Sequence, residues 1–288
     1  KPPGTTPEIF APGIVSTNNQ EHSSLVISPD GKEMWWSRWR LPLDYKKYPQ
    51  EIVFIKYENE KWTEPKTASF SGKYRDGSPA LSSDGKKIFF YSNRPMGSGS
   101  SAASDNNIWF VERTNDGWSM PLNPGQDINS PYSDALPSLA ANGNLYFVSD
   151  RIKYEDPTGD YDLFMAKYVN GKYLKPESIS NLINTSYARE AFHYVASDES
   201  YIIFNRDSRK FDKNGNVTTG IRILMISFRD RNGSWCKPID MGPDFYNTRF
   251  PSLSPDGRYL FFTKYSENSN EDFYWVSAKI IEELRLKE

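Results

Sequence analysis

The sequence predicts an all-β fold: a five-bladed β-propeller of four-stranded blades, closed by an N-terminal strand, with six blades as the alternative. Three observations carry this. One short unit recurs five times, turn residues stand at fixed offsets inside it, and each copy holds aromatic and β-branched runs of strand length.

The clearest copy lies in residues 250–274. Pro251-Ser252-Leu253-Ser254 opens a strand, and Pro255-Asp256-Gly257 is turn chemistry: Pro fixes φ, Asp bonds the backbone ahead, and Gly accepts positive φ. Tyr259-Leu260-Phe261-Phe262 makes the second strand and Asp272-Phe273-Tyr274-Trp275-Val276 the third. Four further copies have their turn acid or amide at Asp30, Asp84, Asn142 and Asp198, a period of 54 to 58 residues. The copy at Asp198 is the most worn, with Glu199 in place of Gly and His193 in place of Pro.

The first four copies continue into Lys61-Trp62-Thr63-Glu64-Pro65, Gly117-Trp118-Ser119-Met120-Pro121, Gly171-Lys172-Tyr173-Leu174-Lys175-Pro176 and Gly233-Ser234-Trp235-Cys236-Lys237-Pro238. These segments read as outer, fourth strands, since Pro is tolerated at a sheet edge. The fifth copy has none, so Ile9 to Val15 is expected to supply it. The long loops at 38–48, 95–106, 151–160 and 206–219 fall between second and third strands and crowd one face. The stretch 279–288 reads as a frayed end or a one-to-two-turn helical cap. Residues 1–6 read as a linker and 7–288 as one propeller domain.

Composition narrows the function. The 288 residues include 18 Tyr, 17 Phe and 8 Trp, which suit packed sheets. The formal charge is −2 with no basic block, so no nucleic-acid footprint is visible. Apolar runs are far too short for a membrane-spanning helix, and no signal segment is read at Lys1. The single Cys236 has no disulfide or CxxC partner. Only His22 and His193 exist, no Gly-x-Ser-x-Gly elbow occurs, and the 95–101 loop has no Walker lysine.

Together, Ile128-Asn129-Ser130, Asp134, Pro137, Asn142-Gly143, Tyr146-Phe147, Ser149-Asp150-Arg151 and Asp162-Leu163-Phe164 resemble the PD40 family, WD40-like repeats also found in TolB-type propellers. The resemblance covers about residues 20 to 278. It implies a binding or scaffold module, exported to the periplasm or cell surface, whose partner is a protein or glycan of the cell envelope. Neither a Tol-specific domain nor a hydrolase domain lies within this sequence.

Eight residues before each turn position stand His22, Asp76, Asp134, Glu190 and Thr248, flanked by Arg189, Arg249 and Tyr132. These positions open the inner strands and should ring the channel mouth. As a ligand site, His22, Asp76, Tyr132, Asp134, Arg189, Glu190 and Arg249 would hold a polar or anionic guest through stacking and Arg pairs. By register, His22 is expected to face Asp76. The alternative is a carbohydrate-active enzyme, a glycoside hydrolase or polysaccharide lyase using Asp76, Asp134 and Glu190. A third reading has the acids bond neighbouring backbone N–H groups and staple the blades together. No cofactor is expected. Carboxylates suit Ca²⁺, but no calcium loop is present.

Overall fold

The computed structural model describes residues 2–40, 49–96, 105–125, 127–151, 161–211, 217–265 and 270–286. Five antiparallel blades surround a central axis, as the repeats predict. Blade 1 runs from a broken inner strand, Gln20–Glu21 and Val26–Ile27, through Glu33–Trp39 and Glu51–Glu58 to Lys66–Thr67. Blade 2 holds Asp76–Leu81, Lys87–Ser92 and Asn107–Thr114, with an outer bridge between Phe110 and Leu122. Blade 3 holds Asp134–Leu139, Leu145–Ser149, Asp162–Ala166 and Glu177–Ser178, and blade 4 holds Ala188–Val195, Tyr201–Phe211, Val217–Phe228 and Ile239–Asp240. Blade 5 takes Thr248–Leu253, Tyr259–Tyr265 and Glu271–Ser277 from the C-terminal end and Glu8–Ile9 from the N-terminal end.

The recurring turn closes by the same bonds in three blades. In blade 5 the Ser254 hydroxyl donates to Asp256, whose carboxylate accepts the Arg258 N–H, while the Tyr259 N–H donates back to Ser254. Blades 1 and 2 repeat this around Ser28–Asp30 and Ser82–Asp84. The turn's fourth residue has φ near 70° at Gly31, Gly85 and Gly257. Glu199 adopts φ 60° at that place in blade 4, the backbone position that a Cβ disfavours.

Closure of the ring follows the expected route. Glu8 pairs Trp275 and Ile9 pairs Tyr274. Phe10 then sets its ring edge-on to Phe261 and Trp275, at 5.0 and 5.2 Å. The paired strand is shorter than the Ile9–Val15 expectation, because the chain turns at Ala11, where φ is 44°. Earlier still, the Gly4 carbonyl accepts the Ser277 N–H.

Two expectations need correction. Only in blade 2 does the Trp-x-x-Pro segment give the edge strand, Gly117–Trp118; in blades 1, 3 and 4 it does not form the outer strand. Trp62, Trp118, Tyr173 and Trp235 fold back beside the end of the third strand, opposite Tyr57, Arg113, Tyr168 and Arg229. In blades 1, 3 and 4 the outer strand begins only after the proline, because Pro ends the hairpin by removing a donor. In blade 4 the described parts of the predicted 206–219 loop instead continue the ladder, pairing as far as Phe211 with Val217, and residues 212–216 lie outside the described residues, as do most of the loops at 38–48, 95–106 and 151–160. The 279–288 tail forms a helix, Lys279–Arg285, which buries Ile281 and Leu284 in the core shared by blades 4 and 5.

Each inner strand of blades 2 to 5 contains a bulge. Ser78, Leu136, Phe192 and Phe250 take φ of 48°, 54°, 46° and 52°, and pairing with the second strand skips there. Such conformations cost about 1–3 kcal/mol each and persist only where the surroundings over-determine them. Here the bulge re-aims a side chain toward the axis.

Because Phe10 completes the packing of the last blade, Phe10→Ala is expected to lower unfolding stability by about 3 kcal/mol. Denaturant unfolding checks this. Unchanged stability would place ring closure elsewhere.

Candidate functional site

The acids that open the inner strands are buried and fully engaged. Asp76, Asp134 and Glu190 are each 0% exposed. A hydroxyl from the entering loop holds one side: Ser71 on Asp76, Ser130 on Asp134 and Thr185 on Glu190, at 2.8–2.9 Å. An arginine in or just past the second strand holds the other: Arg94, Arg151 and Arg206, at 2.7, 2.6 and 2.8 Å. Each guanidinium also donates to a loop carbonyl, of Phe70, Ile128 or Ile183. The Asn before the hydroxyl in blades 3 and 4 pairs with the third strand as a strand residue would: Asn129 with Ile108 of blade 2, and Asn184 with Leu163 of blade 3. The Asn-Ser/Thr, acid and Ser-x-Arg parts of the repeat therefore form one staple. Burial raises the Asp76 and Glu190 carboxyls above their usual range, against the pull of those partners.

This arrangement leaves the hydrolase reading without an open carboxylate among these three. A glycosidase pair needs room for water and substrate between its acids. The remaining predicted residues separate. Tyr132 is half-buried beside Ser130, its N–H donating to the Ser130 hydroxyl. Thr248 spends its hydroxyl on the Phe245 carbonyl. His22 does not face Asp76. Its Nδ1 lies 2.6 Å from Glu271, across the joint between blades 1 and 5. Burial would raise the Glu271 carboxyl, but His22 and Arg249 outweigh it and hold it below the ordinary range.

At the mouth, a different cluster takes shape around Phe192. The guanidinium carbons of Arg189, Arg222 and Arg249 lie 5.8, 5.2 and 5.7 Å from its ring centre. Phe192 itself meets Phe250 edge-on at 4.6 Å, and Phe250 meets His22 at 4.8 Å. Tyr161 stacks under Arg189 and Tyr265 under Arg249. Among the described residues, Asp207 and Glu271 are carboxylates that meet this cluster. Asp207 binds Arg222 through two bonds of 2.6 and 2.8 Å. Glu271 is already taken by His22 and Thr263 and stands 3.6 Å from Arg249. The Arg249 Nε is buried without a hydrogen bond. Sequence alignment found Arg189 and Arg249. It missed Phe192, Phe250 and Arg222, although a large apolar residue just before the Pro position of an inner strand was the available signal.

Below this phenyl pair, toward the turns, the axis opens into a funnel of about 350 Å³ lined by Pro79, Pro137, His193 and Pro251. Burial pushes the His193 pKa down to about 4, so its ring is neutral at physiological pH. Among the described residues no group of three or more His, Cys, Asp or Glu is placed to hold a metal ion. Among the described residues no helix is long and apolar enough to cross a membrane.

Blade 1 departs from the staple. Its Glu21 is 0% exposed and accepts from Thr17 at 2.6 Å and from Trp36 at 2.8 Å, with no arginine bonded to it. Burial raises its pKa to about 7.

No protein-family model matches the sequence, and no curated protein sequence does. Solved structures do. A protein of unknown function from Dyadobacter fermentans superposes with TM-score 0.53 at 13% identity, over 96% of this chain and 83% of that one. TolB from Acinetobacter baumannii gives 0.52 at 16%, over 88% and 51%. A protein described as TolB from Agrobacterium tumefaciens gives 0.50 at 15%, over 85% and 70%. At these identities the likeness shows a TolB-like propeller fold and nothing finer. The chain spans about half the length of the Acinetobacter protein.

Two outcomes follow from the geometry. Asp134→Asn strips the charge from a buried pair and should cost about 3 kcal/mol of stability, read by denaturant unfolding. A loss of well under 1 kcal/mol would show that the staple contributes little. Glu21 works the other way with pH. Its folded pKa lies above its unfolded value, so its contribution to stability is full below about pH 4.5 and is lost as pH rises through about 7. Above that range ionisation costs about 3 kcal/mol. Glu21→Gln is expected to flatten this loss between pH 5 and 8. Equal slopes for both proteins in unfolding series would rule it out.

Proposed function

We propose that this chain is an exported binding or scaffold propeller that takes an anionic group of a cell-envelope partner, protein or glycan, at its channel mouth. The observation that carries this is the convergence of Arg189, Arg222 and Arg249 on Phe192, where Arg222 is paired with Asp207 and Arg249 stands 3.6 Å from a Glu271 that His22 and Thr263 already occupy. Like charges held together by the fold are a standing cost that an incoming carboxylate or phosphate removes. Guanidinium groups suit either anion, because their fork of donors matches two oxygens at once. Arg249 is loosely held, since its Nη1 stands 3.6 Å from a carboxylate that is already shared and 3.4 Å from the Tyr265 hydroxyl.

The ligand-site residues of the sequence reading divide under this proposal. Arg189, Arg249 and His22 belong to the binding surface. Asp76, Asp134 and Glu190 hold the strands that present it, and Tyr132 flanks it. Export rests on the resemblance of the repeats to PD40 sequences, and a TolB-like fold is in keeping with protein partners. The hydrolase reading has no observation in its favour.

The test is capture from envelope extract by the immobilised chain, compared with Arg189→Ala and Arg249→Ala. Binding should weaken as salt rises and should fall at least ~10-fold in both variants, with melting temperature unchanged. Capture that survives both substitutions, or is insensitive to salt, would overturn the proposal.

A further inference from the structure

We propose a second binding site, for a neutral oligosaccharide, in the groove between blades 2 and 3 on the turn face of the disc. The groove encloses about 630 Å³, within the roughly 300–1,000 Å³ of small-ligand sites. Its floor is Phe89 and Phe110, stacked at 5.2 Å. Tyr173 stands edge-on to Phe89 at 6.2 Å, and Tyr168 leans on Tyr173 at 4.9 Å.

The molecule supplies its own comparison. In the equivalent groove between blades 1 and 2, Arg113 lies over Trp118 at 4.4 Å and binds Glu33 of blade 1 at 2.6 Å. Between blades 3 and 4, Arg229 lies over Trp235 at 4.3 Å and donates to the Tyr146 hydroxyl, leaving about 410 Å³. Blade 3 has Tyr168 at that arginine position, opposite Tyr173. At the place of Glu33, blade 2 has Lys87, which is paired to Glu112 at 3.0 Å. The guanidinium wedge is therefore missing and the facing charge is reversed.

What remains fits a sugar. Tyr168 is 37% exposed and offers a ring face. It can lie close to the turn because position 143 is Gly, where a Cβ would come within 2.8 Å of its ring. Among the described residues, the Tyr173 hydroxyl, the Asp127 carboxylate and the Lys172 ammonium are lining groups that bond nothing else. They supply acceptors and donors side by side, as a polyhydroxylated ligand requires. The lining charges balance, Asp84 and Asp127 against Lys87 and Lys172. No net field favours an ionic guest. Ring faces with a few placed polar groups bind the apolar faces and the hydroxyls of a saccharide together.

The test is isothermal titration of the full chain with cellohexaose, maltohexaose, xylohexaose and chitohexaose. At least one should bind, with Kd between about 10 μM and 1 mM. Tyr168→Ala should weaken that binding at least ~10-fold, and Tyr173→Phe, which removes only the hydroxyl, should weaken it measurably. Arg249→Ala, at the opposite end of the molecule, should leave it unchanged, which separates this site from the channel mouth. Tyr57→Ala, on the matching hairpin of blade 1, is the control and should also be silent. The proposal fails if none of the four sugars binds at about 10 mM. It fails equally if binding persists in both Tyr168→Ala and Tyr173→Phe. Sedimentation showing self-association that Tyr168→Ala abolishes would instead make the groove an interface between copies of the chain.

Discussion

The buried carboxylate at the head of the inner strand is the constraint on which blades 2, 3 and 4 depend. An isolated carboxylate at zero exposure would be costly, so each must be matched by donors brought from elsewhere in the chain. Those donors come from two segments, the entering loop and the arginine at or just past the second strand, and the arginine in turn donates to a carbonyl of that loop. Satisfying one acid thus fixes where a blade begins, where its arginine stands and how the preceding connection approaches. The companion Asn carries the same loop into the third strand of the blade before it. A repeat built this way specifies geometry through polar satisfaction, while the aromatic runs supply the burial.

Where a blade departs from that scheme, the departure is local and has a visible consequence. Blade 1 has a histidine at the acid's register, and its neighbouring Glu21 is buried without an arginine. Blade 5 has Thr248, and its nearby carboxylate, Glu271, comes from the third strand and is shared by His22, Thr263 and Arg249. Blade 4 keeps the staple but adds Arg189 and Arg222 beside it. The inner-strand heads are consequently regular in blades 2 and 3, while Arg189, Arg222 and Arg249 gather around Phe192 on the side of blades 4 and 5.

The inner-strand bulge links this asymmetry to the axis. In blades 2 and 3 the left-handed residue is Ser78 or Leu136, whereas in blades 4 and 5 it is Phe192 or Phe250. The same strained backbone therefore presents two phenyl rings from adjoining blades. They contact one another, and Phe192 gathers the arginines by cation–π attraction. The grooves between blades vary by the same means. A single side chain, Arg113, Arg229 or Tyr168, decides whether the wedge is present.

The sequence alone determined the architecture: five copies, four strands in each, and closure of the last blade by the N-terminal segment. These are legible because turns and strands are short-range, so Ser-Pro-Asp-Gly and an aromatic run carry their geometry with them. It also marked the register of the acids and found Arg189 and Arg249. It could not say which carboxylates were spent. That depends on side chains about sixteen to eighteen residues away meeting the acid across a ladder, as Arg206 meets Glu190 and Arg151 meets Asp134. Nor could it show that in blades 1, 3 and 4 the Trp-x-x-Pro segments fold back before the outer strand starts, because hairpin and edge strand share one composition. Only the tertiary structure, by closing blade 5 onto blade 1 and blade 4 onto blade 5, brought His22 to Glu271 and Phe192 to Phe250. These two contacts join residues more than fifty positions apart, and no local pattern encodes them.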